Sequence, residues 1–332
     1  DILKEYWGYP SFRDLTMYRD VRDPKKQLIQ ISQAQIINDI VEQTALALNN
    51  KPYRDGYITS ATGSGKSVMF QVPSLYLSRE FSAENPITLI ISPLIGLMND
   101  QVDSMRAKGI DTARTIHSNV APFERDKIIN EISNGQVNML YLSPETLQSR
   151  SDIKRLIVER SIGLVIIDEA HIVTTWGKSF RADYWYLGIY LQKLRKKYRF
   201  PIVTFTATAI YGGKEDMYLE TRDSLNMINP ISYFGNVKRE DIFMSSSDEK
   251  TEDYSREYLR TKQQLTLIHL EKAFRNKQKS LVYFPTVKLL NQFNSFLKLN
   301  HSEIAAVTGI YNGQLQKEEK DEVLTSFKNG EL

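Results

Sequence analysis

The sequence predicts an α/β fold in which a parallel sheet is flanked by helices, and two observations carry that expectation. The first is a series of short apolar runs that mostly lack polar alternation: Gly56-Tyr57-Ile58-Thr59, Thr88-Leu89-Ile90-Ile91, Asn138-Met139-Leu140-Tyr141-Leu142, Gly163-Leu164-Val165-Ile166-Ile167 and Pro201-Ile202-Val203-Thr204-Phe205. Strands of a parallel sheet are buried on both faces, so they read as continuous apolar segments. The second is what lies between them: stretches with helical periodicity, such as Leu94, Leu97, Met98, Val102 and Met105 on one helix face. Strand and helix patterns in alternation give a sheet covered by helices.

Composition sets the outer limits. A chain of 332 residues has room for two domains with separate cores. Its 43 lysines and arginines against 40 acids leave a formal charge of only +3, too balanced to argue for nucleic acid by itself. It has no cysteine, which excludes disulfides, thiolate zinc sites and cysteine nucleophiles within the sequence. No apolar run approaches the ~20 residues of a membrane span. The first residues, Asp1-Ile2-Leu3-Lys4-Glu5-Tyr6-Trp7, lack both a signal-peptide layout and an initiator Met. We therefore expect a chain trimmed at its front, working in the cytoplasm and nucleoid-associated if prokaryotic.

A boundary is expected near residues 230–255, where Ser245-Ser246-Ser247-Asp248-Glu249-Lys250 reads as a loop. This divides the chain into 1–235 and 236–332. Beyond it we expect an amphipathic helix at about 254–276, a strand at Ser280-Leu281-Val282-Tyr283-Phe284, a further helix, a strand at Ala305-Ala306-Val307 and a last helix to Phe327. Two or three strands do not make a sheet covered on both faces, so the second α/β domain is expected to be incomplete.

The chemistry begins at Ser60-Ala61-Thr62-Gly63-Ser64-Gly65-Lys66-Ser67, between a strand-like run and a helix-like one, Val68 to Leu77. That context defines a phosphate-binding P-loop. Glycines let backbone N–H groups turn toward an anion, and the helix start adds unpaired donors. Lys66 can reach terminal phosphates, and Ser67 offers a hydroxyl to Mg²⁺. The strict pattern has Gly where Ser60 stands. The second half of the site is Asp168-Glu169-Ala170-His171, directly after the run ending at Ile167. Open α/β sheets place ligands at such strand ends. Asp168 would hold Mg²⁺, and Glu169 would orient and deprotonate an attacking water.

The order of these two boxes, followed by Thr206-Ala207-Thr208, resembles a superfamily-2 helicase of the DEAH-box kind, and finer details resemble its RecQ branch. Lys66 to Pro73 is similar to that branch's phosphate loop and helix. Ser92-Pro93-Leu94-Ile95-Gly96-Leu97-Met98-Asn99-Asp100-Gln101-Val102 is similar to its motif Ia, and Tyr141-Leu142-Ser143-Pro144-Glu145-Thr146-Leu147 to its motif Ib. Thr175-Trp176-Gly177-Lys178-Ser179-Phe180-Arg181 resembles the aromatic-rich loop that couples DNA binding to ATP hydrolysis, with Lys178-Ser179 where the family has His-Asp. The coupling role carries over to Trp176, Phe180 and Arg181.

The resemblance implies a RecA-like P-loop sheet (residues 1–235) followed by a linker and an incomplete second RecA-like domain (236–332). It implies ATP and Mg²⁺ as cofactors and 3′→5′ movement on single-stranded or forked DNA. The family's motifs V and VI, with the arginine finger, would lie beyond Leu332. Adenine would be read by Gln33, with Gln35 the alternative. The family places an Arg three residues before this Gln, whereas Ser11-Phe12-Arg13 here is separated from it by an insertion at about residues 14–32. We read that insertion as a partner or regulatory element. Thr206 and Thr208 would link the ATP site to the DNA track, with His171 passing on the state of the γ-phosphate.

Ser92, Ser118, Asn119 and Ser143 fall just after strands, where hydroxyls and amides can meet phosphates. Trp176 and Phe180 offer stacking faces and Arg181 a guanidinium; the bland reading of both aromatics is core packing. The basic cluster Leu194-Arg195-Lys196-Lys197-Tyr198-Arg199 reads as a solvated helix end. Tyr184-Trp185-Tyr186 and Tyr190 suit either a partner surface or a core lid. The competing functions are an ATP-gated DNA-binding subunit of a repair or anti-phage defence complex, and an RNA helicase. A metabolic kinase lacks support from the motif order.

Overall fold

The computed structural model describes residues 1–149, 160–174, 182–209, 211–212, 216–238, 241–246 and 256–332. It divides into two compact units, Asp1–Ile242 and Phe243–Leu332. Among the described residues no helix is long and apolar enough to cross a membrane.

The first unit opens with helix α1 (Ile2–Trp7), strands β1 (Asp14–Tyr18) and β2 (Leu28–Ser32), and helix α2 (Gln33–Leu48). Strands and helices then alternate: β3 (Gly56–Thr59), α3 (Val68–Glu80), β4 (Ile87–Ile91), α4 (Ile95–Arg106), β5 (Ala113–Ile116), α5 (Pro122–Ser133), β6 (Met139–Leu142) and α6 (Pro144–Ser149). The unit continues with β7 (Ile162–Ile167), a 3₁₀ turn (Ala170–Val173), α7 (Ala182–Arg195), β8 (Ile202–Thr206), α8 (Met217–Ser224) and β9 (Ile231–Phe234). β3 to β9 form one seven-stranded sheet in the order β5-β6-β4-β7-β8-β3-β9, and every pair in it is parallel.

The lack of alternation in the central strands now has its cause. All six residues of β7 are buried. Val165 and Ile167 join a core with Ile128 and Ile132 of α5 and Leu187 and Leu191 of α7. Leu164 and Ile166 face the opposite core, with Ile36 and Ile40 of α2, Phe70 of α3 and Met98 of α4. Successive residues therefore point into two different apolar layers. In α4 the buried positions are Met98, Val102 and Met105. Leu94 is not part of that face: it precedes the helix in extended conformation and is 53% exposed.

The insertion is a β-hairpin. β1 and β2 pair antiparallel from Asp14↔Ser32 to Tyr18↔Leu28. Met17 makes an antiparallel bridge to Gly235 after β9, and its side chain is buried with Leu15 in the second core. The hairpin thus brings Arg13 back beside Gln33. β9 is a strand that the apolar runs did not reveal.

The second unit contains α9 (Arg256–Arg275), α10 (Val287–Asn300), α11 (Ser302–Ala306) and α12 (Lys317–Asn329). Its small core joins Phe293, Leu297 and Ile304 to Leu267, Leu270, Phe284 and Phe296. The strand expected at 280–284 does not form: among the described residues no strand lies alongside to complete a ladder, and Leu281 and Tyr283 are 67% and 87% exposed. The strand expected at 305–307 is replaced by α11, where Ala305 satisfies its N–H locally on the His301 carbonyl (3.0 Å).

Candidate functional site

β3 ends at Thr59 and hands the chain directly to the glycine-rich loop. Gly63 and Gly65 have φ of 80° and 84°, the left-handed region that side chains resist. Gly65 is doubly constrained, because a Cβ there would lie 2.8 Å from Nε2 of Gln33. Ser60 is not among the residues with positive φ, so the position accepts a side chain. Its hydroxyl donates across the loop to that of Ser64. The Lys66 ammonium donates to the carbonyls of Ser60 (3.1 Å) and Ala61 (3.2 Å). Burial lowers its pKa, and the nearby charges of Glu169 and Asp168 work against that shift.

Ser67, at the start of α3, has a side-chain partner the sequence did not suggest. Its hydroxyl accepts from Nε2 of Gln101 on α4 (3.0 Å). The amide of Gln71 in turn donates to Gln101 Oε1 (2.8 Å) and to the Tyr141 hydroxyl (3.0 Å). This polar chain ties the phosphate loop to the elements after β4 and to β6. The one available signal was a pair of glutamines on otherwise apolar helix faces.

The two acids stand at the C-terminal end of β7. Asp168 N–H continues the ladder to the Ile91 carbonyl at 2.9 Å, and Glu169 takes a left-handed conformation (φ 52°, ψ 46°). Non-glycine residues held there cost strain of order 1 kcal/mol or more, seen chiefly at functional sites. The environments drive the carboxyls apart. Burial, then the charge of Glu169, pushes Asp168 up from 3.8 to about 6. The hydrogen bond from His171 holds Glu169 below its ordinary value. Adjacent carboxyls separated in this way suit different tasks.

His171 Nδ1 lies 3.2 Å from Glu169 Oε2 and 3.2 Å from the Thr206 hydroxyl. An ionised carboxylate only accepts, so Nδ1 carries the hydrogen, which it shares between the Glu169 carboxylate and the Thr206 hydroxyl. The Thr206 hydroxyl donates to the Thr208 carbonyl (2.9 Å) and accepts from the Thr208 N–H (3.1 Å). Glu169, His171, Thr206 and Thr208 therefore form one continuous path from β7 to the end of β8.

Gln33 opens α2 and is buried. Its Oε1 accepts from Arg13 N–H (3.2 Å), and its Nε2 donates to the Ser64 carbonyl (2.8 Å). The hairpin so restores the Arg13–Gln33 proximity that the intervening sequence obscured. Gln35 points elsewhere, toward the Tyr233 hydroxyl at 3.4 Å. Thr62, Gly63, Ser64, Gly65, Lys66, Ser67, Asp168, Glu169, His171 and Gln33 all stand at the same edge of the sheet, at or beside β3, β7 and β8.

The expected nucleic-acid residues divide. Ser118 and Asn119 follow β5 and are exposed. Ser92 and Ser143 follow β4 and β6 but are buried. The Ser143 hydroxyl faces Thr146 at 2.9 Å, at the start of α6, and that of Ser92 has no hydrogen-bond partner among the described residues. Trp176, Phe180 and Arg181 lie outside the described residues. So do the side chains of Tyr184 and Trp185; Tyr186 is exposed, and Tyr190 packs on a core. The basic cluster is not simply a solvated helix end. Arg195 pairs with Asp55, whose carboxylate also accepts from the Ile202 N–H at 2.7 Å. Burial raises the Asp55 pKa, and the guanidinium opposes that shift.

Residues 30–216 match the DEAD/DEAH box helicase family. The chain is similar to the ATP-dependent DNA helicase RecQ of Haemophilus influenzae, 33% identical over 241 residues, which cover 73% of this chain and 32% of that protein. It is also similar to the ATP-dependent helicase wrn-1 of Caenorhabditis elegans, 28% identical over 282 residues, 84% of this chain and 24% of that protein. The chain thus spans about a third or less of the length of these two relatives. Among solved structures it is similar in fold to the DUF1998 helicase MrfA bound to DNA and AMPPNP, with a TM-score of 0.63 and 14% identity, covering 97% of this chain and 44% of that one.

Proposed function

We propose a function from one premise: the chain belongs to the DEAD/DEAH box helicase family, in its RecQ-like branch. It is the ATP-hydrolysing part of a DNA helicase or translocase that moves 3′→5′ on single-stranded or forked DNA. Residues 1–235 are its first RecA-like domain. Residues 236–332 are the linker and the beginning of a second. The observation that carries this reading is the hydrogen-bonded path from Glu169 through His171 to Thr206. A site that only hydrolysed nucleotide has no need of a relay leaving the water-activating acid for a neighbouring strand end.

In this mechanism the loop N–H groups and Lys66 hold the ATP phosphates, and Gln33 reads the adenine edge beside the loop. Glu169, kept ionised by His171, orients the attacking water and accepts its proton. The donor set fits Mg²⁺: the Ser67 hydroxyl and the Asp168 carboxylate are hard oxygens of the kind that ion takes. When bound, Mg²⁺ supplies charge neutralisation of the β- and γ-phosphates. Loss of the γ-phosphate changes what Glu169 and His171 face, and Thr206 with Thr208 pass that change to bound DNA.

Strand separation on a 3′-tailed duplex, measured with ATP turnover on DNA and on RNA, tests the proposal in the complete protein. ATP-dependent separation with stimulation by DNA is the expected result. Hydrolysis on DNA with neither strand separation nor 3′→5′ displacement of streptavidin from a biotinylated strand end points to a clamp or subunit, and stimulation by RNA alone to an RNA helicase; either overturns it.

A further inference from the structure

Phe123 is 84% exposed. A scattered exposed apolar residue needs no explanation, but the setting of this one is built. It stands in the first turn of α5, after β5 at the outer edge of the sheet. The preceding loop is pinned from below. Arg125, itself buried, donates to the carbonyls of Val120 (3.0 Å) and His117 (3.4 Å). Val120 and His117 are buried too. The Val120 N–H closes a turn on the His117 carbonyl at 3.1 Å, the Asn119 N–H reaches His117 Nδ1 at 3.2 Å, and His117 Nε2 meets Asn99 of α4 at 3.3 Å. The loop therefore buries His117 and Val120 over Arg125 of α5. It presents Ser118, Asn119, Ala121, Pro122 and Phe123 outward, all exposed.

We propose that Phe123 is a base-stacking platform for single-stranded nucleic acid, with Ser118 and Asn119 as the adjoining phosphate contacts. Aromatic faces that stack bases beside groups that meet the backbone are what sequence-tolerant single-strand binding requires. A ring on a pinned loop loses little freedom when a base stacks on it. The exposed Glu124 beside it repels phosphate, so the backbone runs on the Ser118–Asn119 side and the base lies over the ring. The platform belongs to the β5 side of the same sheet edge that carries the nucleotide loop at β3. The inference rests on the reading that this chain binds single-stranded nucleic acid.

The test is binding of the complete protein to a fluorescent oligothymidylate and to an abasic strand of equal length, for wild type, Phe123→Ala and Phe123→Trp. Loss of one stacked base weakens binding about 5- to 150-fold, so that loss is expected for Phe123→Ala on oligothymidylate and not on the abasic strand. Phe123→Trp keeps the affinity, and its indole fluorescence is quenched on oligothymidylate. Unchanged affinity for Phe123→Ala, or an equal loss on both strands, overturns the platform. Absence of binding by the wild type is a separate result: it removes the nucleic-acid reading and the platform with it.

Discussion

The two halves of the sheet's C-terminal edge are built differently. Where β3, β7 and β8 end, polar side chains are held by one another: Gln33 on the phosphate loop, Lys66 on loop carbonyls, Glu169 on His171, His171 on Thr206. Where β4, β5 and β6 end, Ser92 and Ser143 are buried, while Ser118, Asn119 and Phe123 face outward from a pinned loop. The first half is a network set to change state with a small ligand. The second is a surface of fixed shape. Gln101 joins them, reaching from α4 to the Ser67 hydroxyl. On the motor reading proposed above, both properties are needed, and they stand at different strand ends.

The largest effect is expected inside the network. Glu169→Gln keeps the shape but cannot accept a proton, and ATP turnover should fall by about 10²–10⁴-fold while nucleotide binding persists. Steady-state turnover beside a binding titration checks this. Next comes the buried Asp55–Arg195 pair, which supports the start of β3 and β8 rather than chemistry. Asp55→Ala leaves Arg195 without its carboxylate and should cost about 3–5 kcal/mol of stability, read by chemical denaturation. If it instead left stability intact and lowered turnover alone, the division between scaffold and site would be drawn in the wrong place.

Thr206→Val is expected to reduce DNA stimulation of turnover about tenfold, on the view that one hydrogen bond to a partly buried relay is worth about 1.5 kcal/mol. Turnover without DNA should change less. Gln101→Leu tests the link between halves: the apparent KM for ATP should rise several-fold, on the order of one lost hydrogen bond. A double-mutant cycle with Ser67→Ala should show the two effects to be shared.

The last effect is a pH dependence of stability and not of turnover. The raised pKa means that folded Asp168 retains a proton that the unfolded chain releases, between its ordinary 3.8 and about 6. The stability it contributes is therefore present at low pH and lost as pH rises through that window. Asp168→Asn should raise the thermal midpoint more at pH 7.5 than at pH 4.5. An equal shift at both values would mean that the carboxyl is not burdened by its surroundings.

What could be read in the sequence was local. The phosphate loop was legible because its glycines, Lys66 and Ser67 are consecutive, and Asp168 to His171 because they directly follow a fully apolar strand. Gln33 was harder, since the residue that identifies it, Arg13, returns to it only through the hairpin. Gln71 and Gln101 stood out only as polar residues on apolar helix faces, and their link to each other, to Tyr141 and to Ser67 was hidden because the partners lie 30 to 70 residues apart. Asp55 and Arg195 are 140 residues apart, so a buried pair looked like one more basic helix end. Ser280 to Phe284 had strand composition, but a strand also needs a neighbour, which composition does not reveal.

The most direct measurement is ATP turnover by the complete protein with and without single-stranded DNA, for wild type, Lys66→Ala and Thr206→Val. The predicted result is strong stimulation of the wild type, loss of turnover in Lys66→Ala, and basal turnover with weakened stimulation in Thr206→Val. Equal stimulation of Thr206→Val and wild type would contradict the path from Glu169 through His171 to the strand end, and with it the coupling on which the motor reading depends.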